Sequence, residues 1–346
     1  MDEIKPRLDR LRSVTRRAIN VSRGDLVRMG PLRSGQELPL LIEPWEGRLD
    51  LRAWLEGNAD HLRDLLIRHG AILFRSFRVG SVEDFEGCVR ALSPEALEYT
   101  YRSTPRTEIA GRIYSSTEYP SDQHIPMHNE MSYTRTWPMK IWFHCMVAAE
   151  TGGETPIADS RRVFQRIDPS LRENFAAKNV TYVRNYGDGM DLPWQEVFQT
   201  RDPRQVEEFC RHAGIAVEWR SETTLRTRQV AQAVARHPLT GERVWFNQAH
   251  LFHVSALGPA IEEILCREFG EAGLPRNSYY GDGSPIEPEA LEQIREAYRQ
   301  EAIDVPWLRG DVLLLDNMLV AHGRRPFTGA RKVVVGMAEP VSLEEL

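Results

Sequence analysis

The sequence predicts a mainly β protein, a β-barrel or jelly roll that carries its helices on the outside. Strand-like segments recur at short spacing, and helical segments stand near the front of the chain or in insertions between strands. The chain has 346 residues, of which 41% are hydrophobic, and this is enough to bury one elaborated core. No G-x-G-x-x-G fingerprint is present, which disfavours a doubly wound α/β fold, the competing class.

The chain is predicted to consist of an N-terminal extension and one domain. Residues 1–45 mix acidic and basic side chains before they turn apolar in LPLLIEP, so we interpret them as an extension. Residues 46–346 contain no repeat, no low-complexity tract and no clean boundary, so we interpret them as a single domain with helical insertions. Polar start residues and amphipathic spacing predict four helices in this part. They span 58–70, 81–93, 258–273 and 287–302.

Apolar and aromatic runs between turn residues predict the buried strands, since such runs are typical of strands with both faces covered. The predicted strands lie within 71–77, 139–150, 152–168, 179–187, 214–220, 242–250, 310–327 and 330–340.

Composition excludes several partners and locations. The formal net charge is −6 and the arginines are diluted by acids, so nucleic-acid binding is not expected. No stretch approaches about 18 apolar residues, and the N-terminus has no apolar core, so neither a membrane span nor a secretory signal is predicted. The four cysteines form no C-x-x-C motif and no sign of a disulfide framework, so we expect a cytoplasmic protein.

The stretch PMHNEMSY contains a candidate metal site. On a strand, His128 and Glu130 point to the same face because they are two residues apart. A third ligand is expected from His322, which ends an apolar strand just before a glycine. Two histidines and one carboxylate form a facial triad with open coordination positions, and this suits non-haem Fe(II) and oxygen chemistry.

A lone H-x-E is common by chance, and other histidine pairs compete with it. His124 and His128 have the spacing of a helical zinc-protease site, but Pro126 makes a helix there improbable. His250 and His253, in HLFH, are interpreted as a loop or strand-end pair.

Two further residues favour the metal interpretation. Thr155 follows a glycine-glycine turn, where its hydroxyl could hydrogen-bond a carboxylate. Arg331 stands nine residues after His322 at the head of a strand, where a guanidinium could hold the far carboxylate of a dicarboxylic acid. Arg325 is the competing candidate, and for either arginine a surface ion pair is the alternative.

Together, three motifs resemble the TauD/TfdA family of Fe(II)/2-oxoglutarate-dependent oxygenases. They are the H-x-E at 128–130, the GGET at 152–155 and the segment DNMLVAHGRRPFTGARKVVVGM at 316–337. They look most like the subgroup from nonribosomal-peptide and amino-acid-derived natural-product pathways, which is similar to syringomycin-type aspartyl hydroxylases and to clavaminate synthase. The match runs over 66–340, and three motifs in the same order make it specific.

The resemblance implies a fold, cofactors and site residues. The fold is a double-stranded β-helix, a jelly roll, in agreement with the strand pattern. The implied cofactors are Fe(2+), with His128, Glu130 and His322 as its ligands, and 2-oxoglutarate, held by Thr155 and Arg331.

The sequence departs from the family pattern at two positions. Most members carry aspartate where this chain has Glu130, although clavaminate synthase-like and asparagine-oxygenase-like members show H-x-E. This favours amino-acid hydroxylation, and because a carboxylate is present, halogenation is disfavoured. Val335 stands where sulfonate-binding members carry a further arginine, so a sulfonate substrate loses its clamp.

The substrate contacts are the least constrained prediction. Gln123 and His124 lie where the family contacts substrate, Asn247 is a polar residue on an apolar strand, and Arg325 is a further candidate. For each of the first three, a structural hydrogen bond is the alternative, and it is favoured for Asn247.

The expected function is hydroxylation by O₂ of an amino acid or an amino-acid-derived substrate, free or tethered to a carrier protein, in natural-product biosynthesis. A homo-oligomer is compatible with this expectation. A zinc-dependent hydrolase with the same ligands is the alternative, but it leaves Thr155 and Arg331 without a function. A binding jelly roll with a degraded site is a second alternative, which the three intact ligands disfavour.

Overall fold

The strands form sheets at the centre of the molecule, with helices around them. The computed structural model describes residues 26–47, 49–93, 108–110, 113–115, 119–187 and 191–345. The strands are β1 (Val27–Pro31), β2 (Leu40–Pro44), β3 (Ala71–Phe74), β4 (Glu108–Ala110), β5 (Ile113–Ser115), β6 (Ile125–His128), β7 (Thr136–Val147), β8 (Thr151–Gly152), β9 (Thr155–Asp159), β10 (Val180–Tyr186), β11 (Ile215–Trp219), β12 (Leu225–Ala231), β13 (Val234–Arg236), β14 (Arg243–Trp245), β15 (Arg276–Tyr280), β16 (Ile303–Val305), β17 (Val312–Asp316), β18 (Val320–Arg324), β19 (Phe327–Thr328) and β20 (Lys332–Ser342). The helices are α1 (Leu51–His69), α2 (Val82–Leu92), α3 (Ser160–Arg166), α4 (Pro169–Lys178), α5 (Trp194–Val197), α6 (Pro203–His212), α7 (Ala249–Phe252), α8 (Pro259–Gly273) and α9 (Pro288–Glu301).

Two sheets pack against each other to form the jelly-roll core. One has eight strands in the order β1–β2–β3–β17–β7–β20–β5–β4, and the other has four in the order β16–β9–β18–β6. Their side chains share one apolar cluster, in which Phe143 and Val333 of the large sheet join Ile157 and Val320 of the small sheet. The predicted fold, mainly β with flanking helices and a jelly-roll core, is confirmed.

A third sheet, in the order β11–β12–β10–β15, forms an insertion beside the core. Its apolar cluster includes Tyr182 of β10 and Phe252 of α7, and it reaches Met127 of β6. The insertion therefore packs against the strand that carries the first predicted metal ligand.

Helix α1 begins earlier than the sequence predicts. The prediction starts at Asn58, whereas the helix starts at Leu51, because the Asp50 carboxylate accepts the Ala53 N–H and caps it there. Asn58 lies inside the helix with φ −130° and ψ 17°, and its side-chain amide donates to the Trp54 carbonyl over 2.7 Å. An asparagine that could cap a helix thus marks a kink within one.

The segment predicted as one strand region over 310–327 divides between the two sheets of the core. Strand β17 belongs to the large sheet and β18 to the small one, so the chain changes sheets between them. Asp316 stabilises the turn, since its carboxylate accepts the N–H groups of Met318 and Leu319 over 3.0 Å each. The buried His237 ring contacts the other carboxylate oxygen of Asp316 through Nε2 at 3.1 Å.

Part of the predicted N-terminal extension contributes to the large sheet. Strands β1 and β2 pair antiparallel, and β2 pairs parallel to β3. Residues 1–25 lie outside the described residues, and the division at residue 45 stays a prediction. None of the described helices is long and apolar enough to cross a membrane.

Candidate metal centre and ligand cavity

The three predicted metal ligands come together between strands β6 and β18. These strands pair antiparallel with His128 opposite His322, and Glu130 follows in the turn after β6. One potential ligand atom from each residue lies within 4.8 Å of the others. The sequence placed His128 and Glu130 on one strand; β6 instead ends at His128, and the turn brings Glu130 back to the same point.

A hydrogen bond orients the ring of His128. Its Nδ1 lies 2.8 Å from the Pro126 carbonyl oxygen, which can only accept, so Nδ1 carries a proton. In the neutral ring the lone pair then lies on Nε2, and a backbone carbonyl at the other nitrogen is a common support for a metal-binding histidine. His322 is 5% exposed and packs edge-on against Phe143, with ring centroids 5.1 Å apart.

Asn317 holds the Glu130 residue on both sides of its backbone. The Glu130 N–H donates to Asn317 Oδ1 over 2.8 Å, and Asn317 Nδ2 donates to the Glu130 carbonyl over 2.9 Å. The same Nδ2 donates to the Pro138 carbonyl over 2.9 Å. Because the chain changes sheets at this turn, the asparagine ties the Glu130 turn to the junction of the two sheets.

Helix α7 and the residue before it support the same segment from the insertion. His250 Nε2 lies 3.0 Å from the Met127 carbonyl, and Gln248 Nε2 donates to the Asn129 carbonyl over 2.8 Å. Burial lowers the pKa of His250 to about 3, so its ring is neutral and serves as a donor. Asn317 and Gln248 were not predicted from the sequence, and His250 was interpreted as part of a loop or strand-end pair. The DN at 316–317 marks Asn317 but does not reveal which groups it contacts.

A cavity with about 430 Å³ of empty space, partly open to solvent, adjoins the ligand cluster. Its lining combines the two histidines with both predicted 2-oxoglutarate residues and an apolar wall. The lining residues are Ile125, His128, Phe143, Thr155, His322, Gly323, Arg324, Arg331, Val333 and Val335.

The guanidinium of Arg331 forms no ion pair in the described parts of the chain, although the charge of Glu154 acts on it from further away. Its Nε donates to the Gly153 carbonyl over 3.0 Å, and its plane lies near the Phe327 ring, 5.6 Å from the centroid. Burial lowers the pKa of Arg331 to about 10, so the side chain stays protonated at neutral pH. A half-buried cation at a cavity wall that forms no ion pair among the described residues favours an anionic ligand.

The turn at Gly152 and Gly153 brings Thr155 and Arg331 to one side of the cavity. Both glycines have positive φ, +68° and +73°. A Cβ at Gly152 would lie 2.2 Å from the Pro326 oxygen, and one at Gly153 would lie 3.1 Å from Cδ and Nε of Arg331. Only glycine fits this turn without strain, which explains the GG of the sequence motif.

The residues predicted to contact substrate are not among those that line the cavity. Arg325 does not line the cavity; its Nε donates to Asp304 over 2.8 Å, as in the surface ion-pair alternative. Asn247 is fully buried, donates to the Ala233 carbonyl over 2.8 Å and accepts the Ala249 N–H over 3.0 Å, as in the structural alternative.

Gln123 and His124 are exposed on the segment before β6 and are absent from the cavity lining. Arg324, which was not predicted from the sequence, holds the segment before β6 by hydrogen bonds. Its guanidinium donates to the carbonyls of Tyr119, Pro120 and Gln123. Burial, followed by the charge of Arg325, lowers the pKa of His124.

Comparison with known proteins agrees with this geometry. The model of the family described as taurine catabolism dioxygenase TauD, TfdA family, matches residues 34–338. The dapdiamide synthesis protein DdaC of Enterobacter agglomerans is 43% identical over 278 residues, covering 80% of this chain and 84% of that protein. A clavaminate synthase-like protein of Arabidopsis thaliana is 32% identical over 290 residues, covering 81% and 84%.

Solved structures show the same fold at low identity. PvcB from Pseudomonas aeruginosa superposes with a TM-score of 0.54 at 19% identity, covering 90% of this chain and 91% of its own. A taurine dioxygenase from Burkholderia xenovorans superposes with a TM-score of 0.52 at 16% identity, covering 92% of each chain.

Proposed function

The chain belongs to the taurine catabolism dioxygenase TauD, TfdA family, and from this premise we propose that it hydroxylates an unactivated C–H bond of an amino acid or an amino-acid-derived molecule. It is a non-haem dioxygenase that depends on Fe(II) and 2-oxoglutarate, and it acts on a small molecule with O₂. When bound, iron and 2-oxoglutarate supply the oxidation of the C–H bond by O₂, with succinate and CO₂ as the other products.

His128, Glu130 and His322 would hold the iron. Their donor set, two imidazoles and one carboxylate with ligand atoms within 4.8 Å, fits Fe(II) and leaves coordination positions for other ligands. None of the three acts as a general base in this assignment, since each lone pair is used in binding the metal.

Arg331 and Thr155 would hold the far carboxylate of 2-oxoglutarate. The observation that carries this assignment is the half-buried Arg331 guanidinium, which forms no ion pair among the described residues and shares one cavity with both histidines. A guanidinium binds a carboxylate in two parallel hydrogen bonds, and the Thr155 hydroxyl adds a third donor. The zinc-hydrolase alternative gives neither residue a function.

The apolar wall of the cavity limits which substrates fit and how much water remains beside a bound ligand. Phe143, Val333 and Val335 line the cavity without a polar group, so bulk water is displaced when the ligand enters. Val335 offers no charge to a sulfonate, which supports an amino-acid-derived substrate over a sulfonate.

The biosynthetic setting rests on the relatives. The protein with 43% identity is named for dapdiamide synthesis, and a second relative is named clavaminate synthase-like. Gln123, His124 and Arg325, on the segments that flank the cavity mouth, remain our candidates for contacts with the substrate or with a carrier protein that presents it.

The test is succinate formation from 2-oxoglutarate with Fe(II) and ascorbate, across a panel of free amino acids and carrier-bound aminoacyl groups. Stimulation by one substrate, lost in His128→Ala, with an added oxygen atom in the product by mass spectrometry, supports hydroxylation. A product two hydrogens lighter would instead indicate desaturation or ring closure. If no member stimulates turnover although 2-oxoglutarate binds, the substrate class is wrong and the cofactor assignment stands.

A further inference from the structure

One buried tryptophan contacts the proposed 2-oxoglutarate site through its ring nitrogen. Trp307 is 8% exposed, and its indole N–H donates to the Thr155 hydroxyl oxygen over 3.0 Å. The other buried tryptophans leave this N–H without an acceptor in the described part of the molecule. They are Trp54, Trp137, Trp142, Trp194 and Trp245.

We propose that Trp307 is a positioning residue that fixes the Thr155 hydroxyl as a hydrogen-bond donor toward an anion in the cavity. An indole N–H can only donate, whereas a threonine hydroxyl has one hydrogen and two lone pairs. Once a lone pair of Thr155 accepts from Trp307, the hydroxyl hydrogen points away from the indole, and the cavity that Thr155 lines is open to it. The inference rests on the proposed function, in which the anion is the far carboxylate of 2-oxoglutarate.

The backbone around Trp307 is fixed on both sides. Arg75 and the buried Asp311 form an ion pair at 2.7 Å. Arg75 also donates to the Pro306 carbonyl over 2.8 Å, and Asp311 accepts the Leu308 N–H over 2.8 Å. The residues before and after Trp307 are therefore held by the same ion pair.

Strand pairing sets the distance between the tryptophan and the threonine. Val305 of β16 pairs with Thr155 of β9, and Trp307 follows two residues later. The donor and acceptor are thus held by backbone contacts of the protein itself, which lowers the cost of ordering the hydroxyl.

The experiment measures the dissociation constant of 2-oxoglutarate in the anaerobic Fe(II) protein, by absorbance titration and by calorimetry. A neutral hydrogen bond of ordinary strength corresponds to a change of roughly 3- to 10-fold. We expect this increase in Trp307→Phe and at least as large an increase in Thr155→Val. The double variant should bind no more weakly than Thr155→Val, because the tryptophan acts only through the hydroxyl.

Trp54→Phe is the matched control, since Trp54 is also buried and its ring nitrogen has no acceptor. The dissociation constant of 2-oxoglutarate in Trp54→Phe should equal that in the wild type. At saturating 2-oxoglutarate, kcat of Trp307→Phe should stay within about twofold of the wild-type value. Trp307→His supplies a ring N–H, so it should bind 2-oxoglutarate more tightly than Trp307→Phe does.

Equal affinity of Trp307→Phe and wild type, or additive losses in the double variant, would overturn the inference. Absence of 2-oxoglutarate binding in the wild type would instead refute the proposed function itself. If Trp307→Phe does not fold, replacement of all tryptophans by the benzothiophene analogue removes the N–H and keeps the ring shape. Thr155→Val in the analogue-containing protein then takes the place of the double variant, and it should weaken 2-oxoglutarate binding no further than Thr155→Val does in the ordinary protein.

Discussion

Single side chains hold the segment that carries the candidate metal ligands, and Asn317 makes three hydrogen bonds there. Its amide accepts the Glu130 N–H and donates to the carbonyls of Glu130 and Pro138, so every polar atom of the side chain is used. A side chain that satisfies three buried backbone groups leaves Glu130 little freedom, which is how residues outside the ligand set strengthen a metal site.

We predict that Asn317→Asp weakens Fe(II) binding by at least about tenfold, in the range typical of supports behind a metal ligand. Aspartate keeps the acceptor for the Glu130 N–H but donates to neither carbonyl. Metal titration under anaerobic conditions measures the affinity, and urea unfolding measures the loss of stability.

Asn185→Asp is the control for that change. Asn185 is buried, and its amide donates to the carbonyls of Ala272 and Leu274, away from the metal ligands. It should lose comparable stability and keep its metal affinity. Equal metal affinity in Asn317→Asp and Asn185→Asp would show that Asn317 has no special part in the site.

The candidate ligands could be predicted from the sequence, whereas the residues that support them could not. The spacing of His128 and Glu130 and the family motifs selected a set that, with His322, the structure brings to one point. Asn317, Gln248 and Trp307 were not predicted, because their contacts join segments far apart in sequence. A hydrogen-bonded asparagine has no local signature that distinguishes it from a surface one.

Among the structural elements, the turn at Gly152 and Gly153 contacts or adjoins both residues proposed to hold 2-oxoglutarate. Thr155 follows two residues after Gly153, and the Gly153 carbonyl accepts from Arg331. The motif was visible in the sequence, but the reason for the second glycine, its contact with Arg331, required the structure.

We predict that Gly153→Ala raises the dissociation constant of 2-oxoglutarate about tenfold. An alanine at position 153 has to adopt a positive φ that is unfavourable for residues with a side chain. Its Cβ also lies too close to the side chain of Arg331, which must move out of its position. Calorimetry on the Fe(II) protein measures the affinity.

Gly241→Ala separates the two effects, because Gly241 has φ +71° and nothing within 4 Å of an added Cβ. It carries the same backbone strain, about 1–2 kcal/mol, without the contact. A loss of affinity in Gly241→Ala as large as in Gly153→Ala would attribute the effect to general destabilisation.

The strand predictions show a related limit. The run over 310–327 was predicted as one strand, whereas it contains the separate strands β17 and β18. The exchange between sheets at Asp316 involves His237 and pairing partners far along the chain. Propensity identifies a strand, and its neighbours in the sheet are decided by packing.

For the fold as a whole, three of the four cysteines, Cys88, Cys145 and Cys210, are buried in the core. Cys266 is exposed. Burial raises the pKa of the Cys210 thiol to about 12, from 9.0 in the open chain. The native state therefore keeps a proton that the unfolded state releases above pH 9, so this group makes the protein less stable as pH rises from 9 toward 12.

We predict that, between pH 8 and pH 10, the free energy of unfolding of the wild type falls about 1.4 kcal/mol more than that of Cys210→Ala. Urea unfolding at each pH measures the difference. Cys266→Ala should follow the wild type. Parallel curves for wild type and Cys210→Ala would mean that the thiol ionises as readily in the native state as in the unfolded chain.

The overall class was the most predictable feature, because the density of apolar strands excludes most other folds. The strands at Val27–Pro31 and Leu40–Pro44 were not predicted. The first is a short edge strand of mixed polarity, and the second lies between it and Ala71–Phe74, a pairing that the sequence does not reveal.

The central claim is that His128, Glu130 and His322 hold iron beside a 2-oxoglutarate site formed by Arg331 and Thr155. The most direct measurement is the visible absorption of the anaerobic protein titrated with Fe(II) and 2-oxoglutarate. We predict a weak metal-to-ligand band in the green that needs both additions, disappears in His322→Ala and requires more 2-oxoglutarate in Arg331→Gln. A wild type without the band, or a His322→Ala protein that keeps it, would contradict the account.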